Sequence, residues 1–475
     1  MNIRFPENFI FGAATSAFQI EGNVHDDGSG KSIWSSFIQN STVGSQEDEY
    51  AKSETFCLHS SYWKRDVSLL SELKLDSYRF SVSWGRVIPS GNGNVNQKGL
   101  QFYDQLVDNL LEHGITPMLT LYHWDLPLEL QKNGGWANPN SPDWFLLYSK
   151  TVADLLADRV PLWITFNEPW IFMHLGMIQG EHAPGIKSPE YAAAAYKNIL
   201  LSHSRTADLL RSYNQIREIG IASNLSPCIP ASPSPADVAA SKRMDAYHNR
   251  FFLDPWVNGS IPEITDQVFG KHNPEWSDSE LNELGSELDF IGINYYTSKR
   301  IAHHDHDFLN VTEHPPQTET TDMGWEINPD GLLEALIWAY EQYNTPLYVT
   351  ENGAAFNDVI QNGKIEDYSR VRYLHDHILQ CKKAIEQNIP LKGYYVWSLL
   401  DNYEWNHGLT KRFGLIHVDF ETYNRTIKQS GYYYRNLISF NRHPNTSDLK
   451  SRRGLNLDFL DNFQAAYTQG QPAGT

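Results

Sequence analysis

The stretch Leu100-Gln-Phe-Tyr-Asp-Gln-Leu-Val-Asp-Asn-Leu-Leu-Glu-His-Gly-Ile-Thr-Pro-Met-Leu-Thr-Leu-Tyr-His123 sets the reading of the whole chain. In its first half Leu100, Tyr103, Val107, Leu110 and Leu111 recur at helical spacing, and Gly114 reads as the stop. Its second half, residues 116–123, is a nearly continuous apolar run, the pattern of a parallel strand covered on both faces. The same grammar recurs upstream, where Val67, Leu70 and Leu73 precede a run at 77–83. Further strand-like runs fall at 10–17, 163–167, 218–224, 288–295, 347–351 and 392–400, which makes eight with helical patterns between them. Alternation of strand and helix implies parallel βαβ units, and eight such units imply a closed barrel. The expected fold is therefore α/β: a single-domain (β/α)8 TIM barrel with elaborated βα loops.

No linker divides the chain. The Pro/Ser-rich segment 227–235 reads as a long βα loop after the fifth strand. The barrel is expected over residues 1–442, with 443–475 a polar C-terminal extension, partly packed on the surface or frayed. At about 150 residues per domain, 475 residues suggest roughly three domains, but an elaborated barrel of this class exceeds about 400.

Composition narrows the function classes. Hydrophobic residues at 41% and charged residues at 20% exclude disorder and fibrous folds. A formal charge of −19 disfavours nucleic acid and anionic membrane as partners, and leaves a homo-oligomer open. No apolar run reaches the ~18 residues of a membrane helix, and the short run 9–14 follows Glu7 with no basic stretch before it. No signal peptide is evident, so a cytoplasmic location is expected. Cys57, Cys228 and Cys381 show neither disulfide nor zinc spacing, and the Asn-x-Ser/Thr triplets read as chance. No cofactor is expected. Gly28-Ser-Gly-Lys-Ser32 lacks the first glycine of a phosphate loop, and Gly91-Asn-Gly93 lacks a third glycine. His303-His-Asp-His306 reads as solvated loop histidines rather than a metal site. Aromatic residues at 13% fit a large core, or flat platforms for sugar C–H faces.

Polar groups gather at the strand ends: Thr15 to Gln19, Tyr78-Arg-Phe-Ser81, Tyr122-His-Trp124, Phe166-Asn-Glu-Pro169, Asn294-Tyr-Tyr296, Thr350-Glu-Asn-Gly353 and Trp397 to Asp401. In a barrel these ends converge on the one face where active sites of the fold lie. Glu168 and Glu351 end the fourth and seventh strands and face each other across the mouth. Two carboxyls flanking a small cavity suit acetal cleavage, one protonating the departing oxygen and the other attacking the oxocarbenium-like carbon. Approach of Arg79 and the Tyr296 hydroxyl would keep Glu351 ionised. Glu168, beside that charge and among Trp163, Phe166 and Trp170, would keep its proton to higher pH.

Trp163-Ile-Thr-Phe-Asn-Glu-Pro169 and Tyr348-Val-Thr-Glu-Asn-Gly353 resemble the two signatures of glycoside hydrolase family 1, the retaining β-glucosidase family. Phe11 to Ser16, Tyr78 to Ser81, Tyr122-His-Trp-Asp-Leu-Pro127, Asn294 to Tyr296 and Trp397 through Trp405 match in the family's order, so the likeness runs from Phe9 to Asn436. The resemblance implies Glu168 as acid/base and Glu351 as nucleophile. It implies Asn167 on the sugar 2-OH, and Gln19, His123 and Glu404 on the outer hydroxyls. Trp397 then lies beneath the ring, Trp405 at its upper hydroxyls, and Asn294, Tyr296 and Arg79 support the nucleophile. Taken singly, His123, Gln19 and Trp397 would read as structural; Trp124 and Phe413 stay open between pocket and core. The implied activity is release of terminal β-D-glucose from cello-oligosaccharides or aryl and alkyl glucosides, with β-galactosidase or β-fucosidase side activity.

Two alternatives are a catalytically inactive sugar-binding barrel and a 6-phospho-β-glucosidase. Both glutamates are present, which argues against the first. Glu404 would repel a 6-phosphate, although Lys411-Arg412 lies nearby. Leu155-Leu-Ala-Asp-Arg159 departs from the family's Phe-Gly-Asp-Arg, which touches packing rather than catalysis.

Overall fold

The computed structural model describes residues 3–22, 27–40 and 54–442; the extension expected at 443–475 lies outside the described residues. Eight parallel strands close into a barrel: β1 Ile10–Ala14, β2 Ser77–Ser81, β3 Thr116–Tyr122, β4 Leu162–Asn167, β5 Glu218–Asn224, β6 Phe290–Asn294, β7 Leu347–Asn352 and β8 Leu391–Trp397. Consecutive strands are neighbours, and β1 pairs β8 to complete the ring. Nearly every strand residue is buried, which explains the unbroken apolar runs in the sequence.

Helices wrap the outside by burying one stripe each. In Gln97–Glu112, the Asn96 side chain caps the start, Tyr103, Leu106, Val107 and Leu110 face the barrel, and Gly114 ends the turn with φ +71°. Leu111, expected on the buried stripe, is instead 41% exposed, because the helix presents Leu106 and Leu110 inward and rotates it past the edge. Val67, Leu70 and Leu73 are fully buried, as expected.

Two expectations change. Strands β1 and β8 stop three residues short of 17 and 400: residues 17–20 turn into a short helix behind Ser16, and Ser398 leaves the sheet to pair with Phe413. The segment 227–235 is not all loop. Cys228–Pro230 pairs in parallel with Lys299–His303, which pairs antiparallel with Val311–Glu313, forming a small sheet beside the barrel mouth. Pro227 and Pro230 disguised this strand, and proline is tolerated there because the strand is at an edge.

At the opposite, N-terminal end of the strands the chain closes on itself. The Phe5 amide donates to Asn441 Oδ1 (2.9 Å), Phe5 stacks on Phe9, and Phe11 meets both edge-on. Arg442 donates to the Phe9 carbonyl (2.8 Å) and to Asp76 Oδ2 (2.6 Å), which also accepts from the Phe11 amide. Among the described residues the three cysteines are free, and no helix is long and apolar enough to cross a membrane.

Candidate active site

A cavity of about 590 Å³ opens at the C-terminal ends of the strands, with Glu168, Glu351, Glu404, Trp397 and Trp405 in its walls. Glu168 follows β4, whose pairing with β5 slips between Ile164 and Asn167. That irregularity and a left-handed backbone at Glu168 (φ +47°) turn its carboxyl into the mouth, at the N-cap of the helix Pro169–Met173. Trp124 (φ +81°) and Trp405 (φ +45°) share this left-handed conformation, which non-glycine residues keep only when their surroundings hold them there.

Glu351 lies on β7 in register with Asn294 on β6. Arg79, from β2, reaches beneath the floor. One of its terminal nitrogens donates to Glu351 Oε1 (2.6 Å) and to the Thr350 carbonyl (3.1 Å). The other donates to Asn167 Oδ1 (2.6 Å), and Nε to Thr120 Oγ1 (3.2 Å). The Tyr296 hydroxyl donates to Glu351 Oε2 at 2.7 Å. Asn294 Nδ2 donates to Glu168 Oε1 (2.8 Å) and to Asn167 Oδ1 (3.0 Å), while its own oxygen accepts from Thr350 Oγ1. A chain of hydrogen bonds, from Glu351 through Arg79, Asn167 and Asn294 to Glu168, thus links the two acids.

The electrostatics separate the carboxyls. Burial, reinforced by the Glu351 charge, pushes Glu168 up to about 8. Burial also raises Glu351, but the Arg79 guanidinium and the hydrogen bonds from Tyr296 and Arg79 oppose it, so Glu351 is the acid of the pair that ionises first. Glu404 is pushed up to about 8 by burial and then by the charge of Glu351, and its Oε2 has no hydrogen-bond partner among the described residues. His123 is buried with its pKa well below the usual histidine range, so it is neutral, and its Nε2 accepts from Asn167 Nδ2 (3.1 Å).

Trp397 and Trp405 both stack near-parallel to the His123 ring, at centroid distances of 5.8 and 6.1 Å. Gly353 explains how β7 and β8 come this close at the rim. A Cβ built there would lie 1.7 Å from the Trp397 carbonyl oxygen, so only glycine fits.

Of the residues singled out in the sequence, His123, Glu168, Asn294, Tyr296, Glu351, Trp397, Glu404 and Trp405 line the cavity. Arg79 and Asn167 sit directly behind the wall, joined to it by hydrogen bonds. Gln19 differs from expectation. It is fully buried off the cavity lining, with its amide nitrogen committed to the Tyr403 carbonyl (2.7 Å) and Asn402 Oδ1 (3.2 Å). Here it braces the segment that carries Glu404.

Trp124 and Phe413, left open in the sequence, both line the cavity. The Trp124 indole donates to the Asn167 carbonyl (2.9 Å), and Phe413 meets Tyr296 and Trp325 at 6.2 Å. The wall also includes Trp170, expected beside Glu168, and His174, Met244, Tyr247, Phe308 and Met323, which no sequence pattern brought forward. The other motifs are committed elsewhere. Lys411 donates to the Asp322 carbonyl (2.6 Å), and Arg412 to Asp401 (2.7 Å) and the Val418 carbonyl (3.0 Å). His303 and His304 pair with Asp305 and Asp307, and among the described residues no cluster could hold a metal ion. The Gly30 amide is hydrogen-bonded to the Gly85 carbonyl rather than free to cradle a phosphate.

Residues 1–443 match the model of glycosyl hydrolase family 1. The chain is 42% identical to β-glucosidase A of Thermotoga maritima over 93% of its own length and 99% of that protein. It is 41% identical to the 1,4-β-D-glucan glucohydrolase of Thermotoga neapolitana, covering 92% of this chain and 99% of the other. The solved family 1 β-glucosidase from Thermotoga maritima superimposes with a TM-score of 0.89 at 41% identity, covering 92% of this chain and 99% of that one.

Proposed function

The chain belongs to glycosyl hydrolase family 1, and from that premise we propose that it is a retaining, exo-acting β-glucosidase. The substrates are terminal β-D-glucosides of cello-oligosaccharides or of aryl and alkyl alcohols, with β-galactosidase and β-fucosidase side activity. The observation that carries the mechanism is Glu168 and Glu351 lining one cavity and joined through Asn294, Asn167 and Arg79. Retention needs the two carboxyl groups about 5–5.5 Å apart, whereas inversion needs about 6.5–9.5 Å to admit a water; the family membership supports the first.

In the first step the Glu351 carboxylate attacks the anomeric carbon while the Glu168 carboxyl gives its proton to the glycosidic oxygen, and the alcohol leaves. In the second, Glu168, now a carboxylate, takes a proton from water as that water displaces Glu351, releasing glucose with β configuration. Arg79 and Tyr296 hold the nucleophile ionised and oriented. Asn167 serves the 2-hydroxyl, where a contact strengthens in the transition state. Trp397 forms the platform beneath the sugar; His123, Glu404 and Trp405 hold the outer hydroxyls, with Gln19 bracing the Glu404 segment from behind. Acid, base and nucleophile are all side chains, so the reaction calls for no cofactor. Residues 1–442 form the single catalytic domain, and the location is cytoplasmic.

The 6-phospho-glucoside reading loses its basic pair, because Lys411 and Arg412 are committed to Asp322, Asp401 and Val418. The test is a chromogenic aryl β-glucoside assay on wild type and Glu351→Gln, with the first product followed by NMR. Loss of activity in the variant and a β-configured first product are expected. Activity surviving the substitution, or an α-configured product, would overturn the assignment.

A further inference from the structure

Glu404 and Trp405 do not sit on a barrel strand. They hang on a loop, residues 402–411, whose two ends are clasped by Asp401. Its Oδ2 accepts from Arg412 (2.7 Å), and its Oδ1 from the Gly414 amide (2.9 Å) and Lys428 Nζ (2.6 Å). Gly414 is required for this approach, since a Cβ there would lie 2.2 Å from the Asp401 amide nitrogen. Lys428 is fully buried and also donates to Asp358 Oδ2 (2.5 Å), on the loop after β7. Asp358 in turn is paired to the fully buried Arg370, which donates to the Ala354 carbonyl (3.1 Å) and the Arg412 carbonyl (2.6 Å) and is bonded to Asp367. The lattice holds three cations (Arg370, Arg412, Lys428) and three anions (Asp358, Asp367, Asp401). It joins the loops after β7 and β8 to the segment that starts the last helix, Gln429–Arg442.

A buried ionic lattice is a weak source of net stability, because desolvation offsets most of the attraction; its best-supported use is to fix one arrangement against others. What this one fixes is the height and tilt of the Glu404 loop over the sugar pocket. We propose that Asp401, Arg412 and Lys428 are positioning residues that set selectivity for the outer hydroxyls of the glycone by holding Glu404 and Trp405 in register. This rests on the reading of Glu404 as a holder of those hydroxyls.

The experiment compares kcat/KM for an aryl β-glucoside and its 6-deoxy analogue, and takes the ratio. Glu404→Ala should cut the ratio by about fivefold or more, the effect of losing one hydrogen bond. Lys428→Met leaves two buried carboxylates facing each other and is the variant at risk of not folding. Arg412→Met, whose side chain is 23% exposed, keeps the test usable. It should lower the ratio by about threefold or more, through KM for the glucoside, with kcat on the 6-deoxy substrate within about twofold of wild type. General loss of folded enzyme lowers both rates together and leaves the ratio unmoved. Arg412→Lys should restore part of the ratio. A folded Arg412→Met with an unchanged ratio, beside a Glu404→Ala that collapses it, overturns the positioning role alone. An unchanged ratio in Glu404→Ala overturns the reading of Glu404 and this inference with it.

Discussion

Glu404→Gln should make the folded protein more stable at alkaline pH, and the gain should grow with pH. Burial and the neighbouring Glu351 charge raise the Glu404 carboxyl from 4.5 to about 8. The folded chain therefore holds this proton more tightly than the unfolded chain. The stability it brings is fully present below pH 4.5 and is lost as pH rises through about 8. Every tenfold tightening of a proton corresponds to ~1.36 kcal/mol, so the loss is on the order of a few kcal/mol, with about 5 kcal/mol as its upper bound. Glutamine has nearly the same shape and does not titrate. Urea unfolding of both proteins at pH 5 and pH 8.5 should show the gap between them widening by that amount in favour of the variant. A gap that stays constant within about 0.5 kcal/mol would refute a strained, charge-averse Glu404 and the electrostatic picture of the pocket.

Three further outcomes follow from the same geometry. Glu168→Ala should slow cleavage of glucosides with poor leaving groups by about 10²–10⁴ and that of activated phenolates far less, read from kcat across a leaving-group series. Arg79→Met removes the charge that holds Glu351 down, so the acid limb of the kcat/KM profile should move to higher pH, and the orphaned Glu351 carboxylate should cost about 3–5 kcal/mol of stability by denaturation. Gly353→Ala forces a Cβ against the Trp397 carbonyl, so a loss of about 1–3 kcal/mol in thermal unfolding and a raised KM for the glucoside are expected.

What the sequence made legible was whatever has a period or a covalent neighbour. The eight runs were readable because a strand buried on both faces admits few polar residues, and the two glutamates were readable because each ends such a run. Strand ends were less so. Residues 15–17 are as buried as β1, and only the hydrogen bond from the Thr15 amide to Arg79 and the short helix at Ala17 reveal that the sheet has ended. Gln19 carried the right side chain for a hydroxyl, but the positions of Tyr403 and Asn402, nearly four hundred residues away in sequence, decide where its amide is committed. Trp124 and Phe413 were ambiguous for the same reason: an aromatic ring buried in a wall and one buried in a core read alike until the wall is built. Trp170 and His174 share one helical stretch, but Tyr247 and Phe308, which join them in the wall, come from segments that no local pattern links to it.

The junction of Phe5, Asp76, Asn441 and Arg442 lies at the far pole from the catalytic mouth. A tether or carrier domain attached at that pole would leave the mouth facing bulk solution, free to admit long or bulky glycosides. The same pole behaves as a hoop on a cask: it ties the first stave to the last helix, so cutting it at Arg442 should loosen the ring of strands before it disturbs any group that handles the sugar.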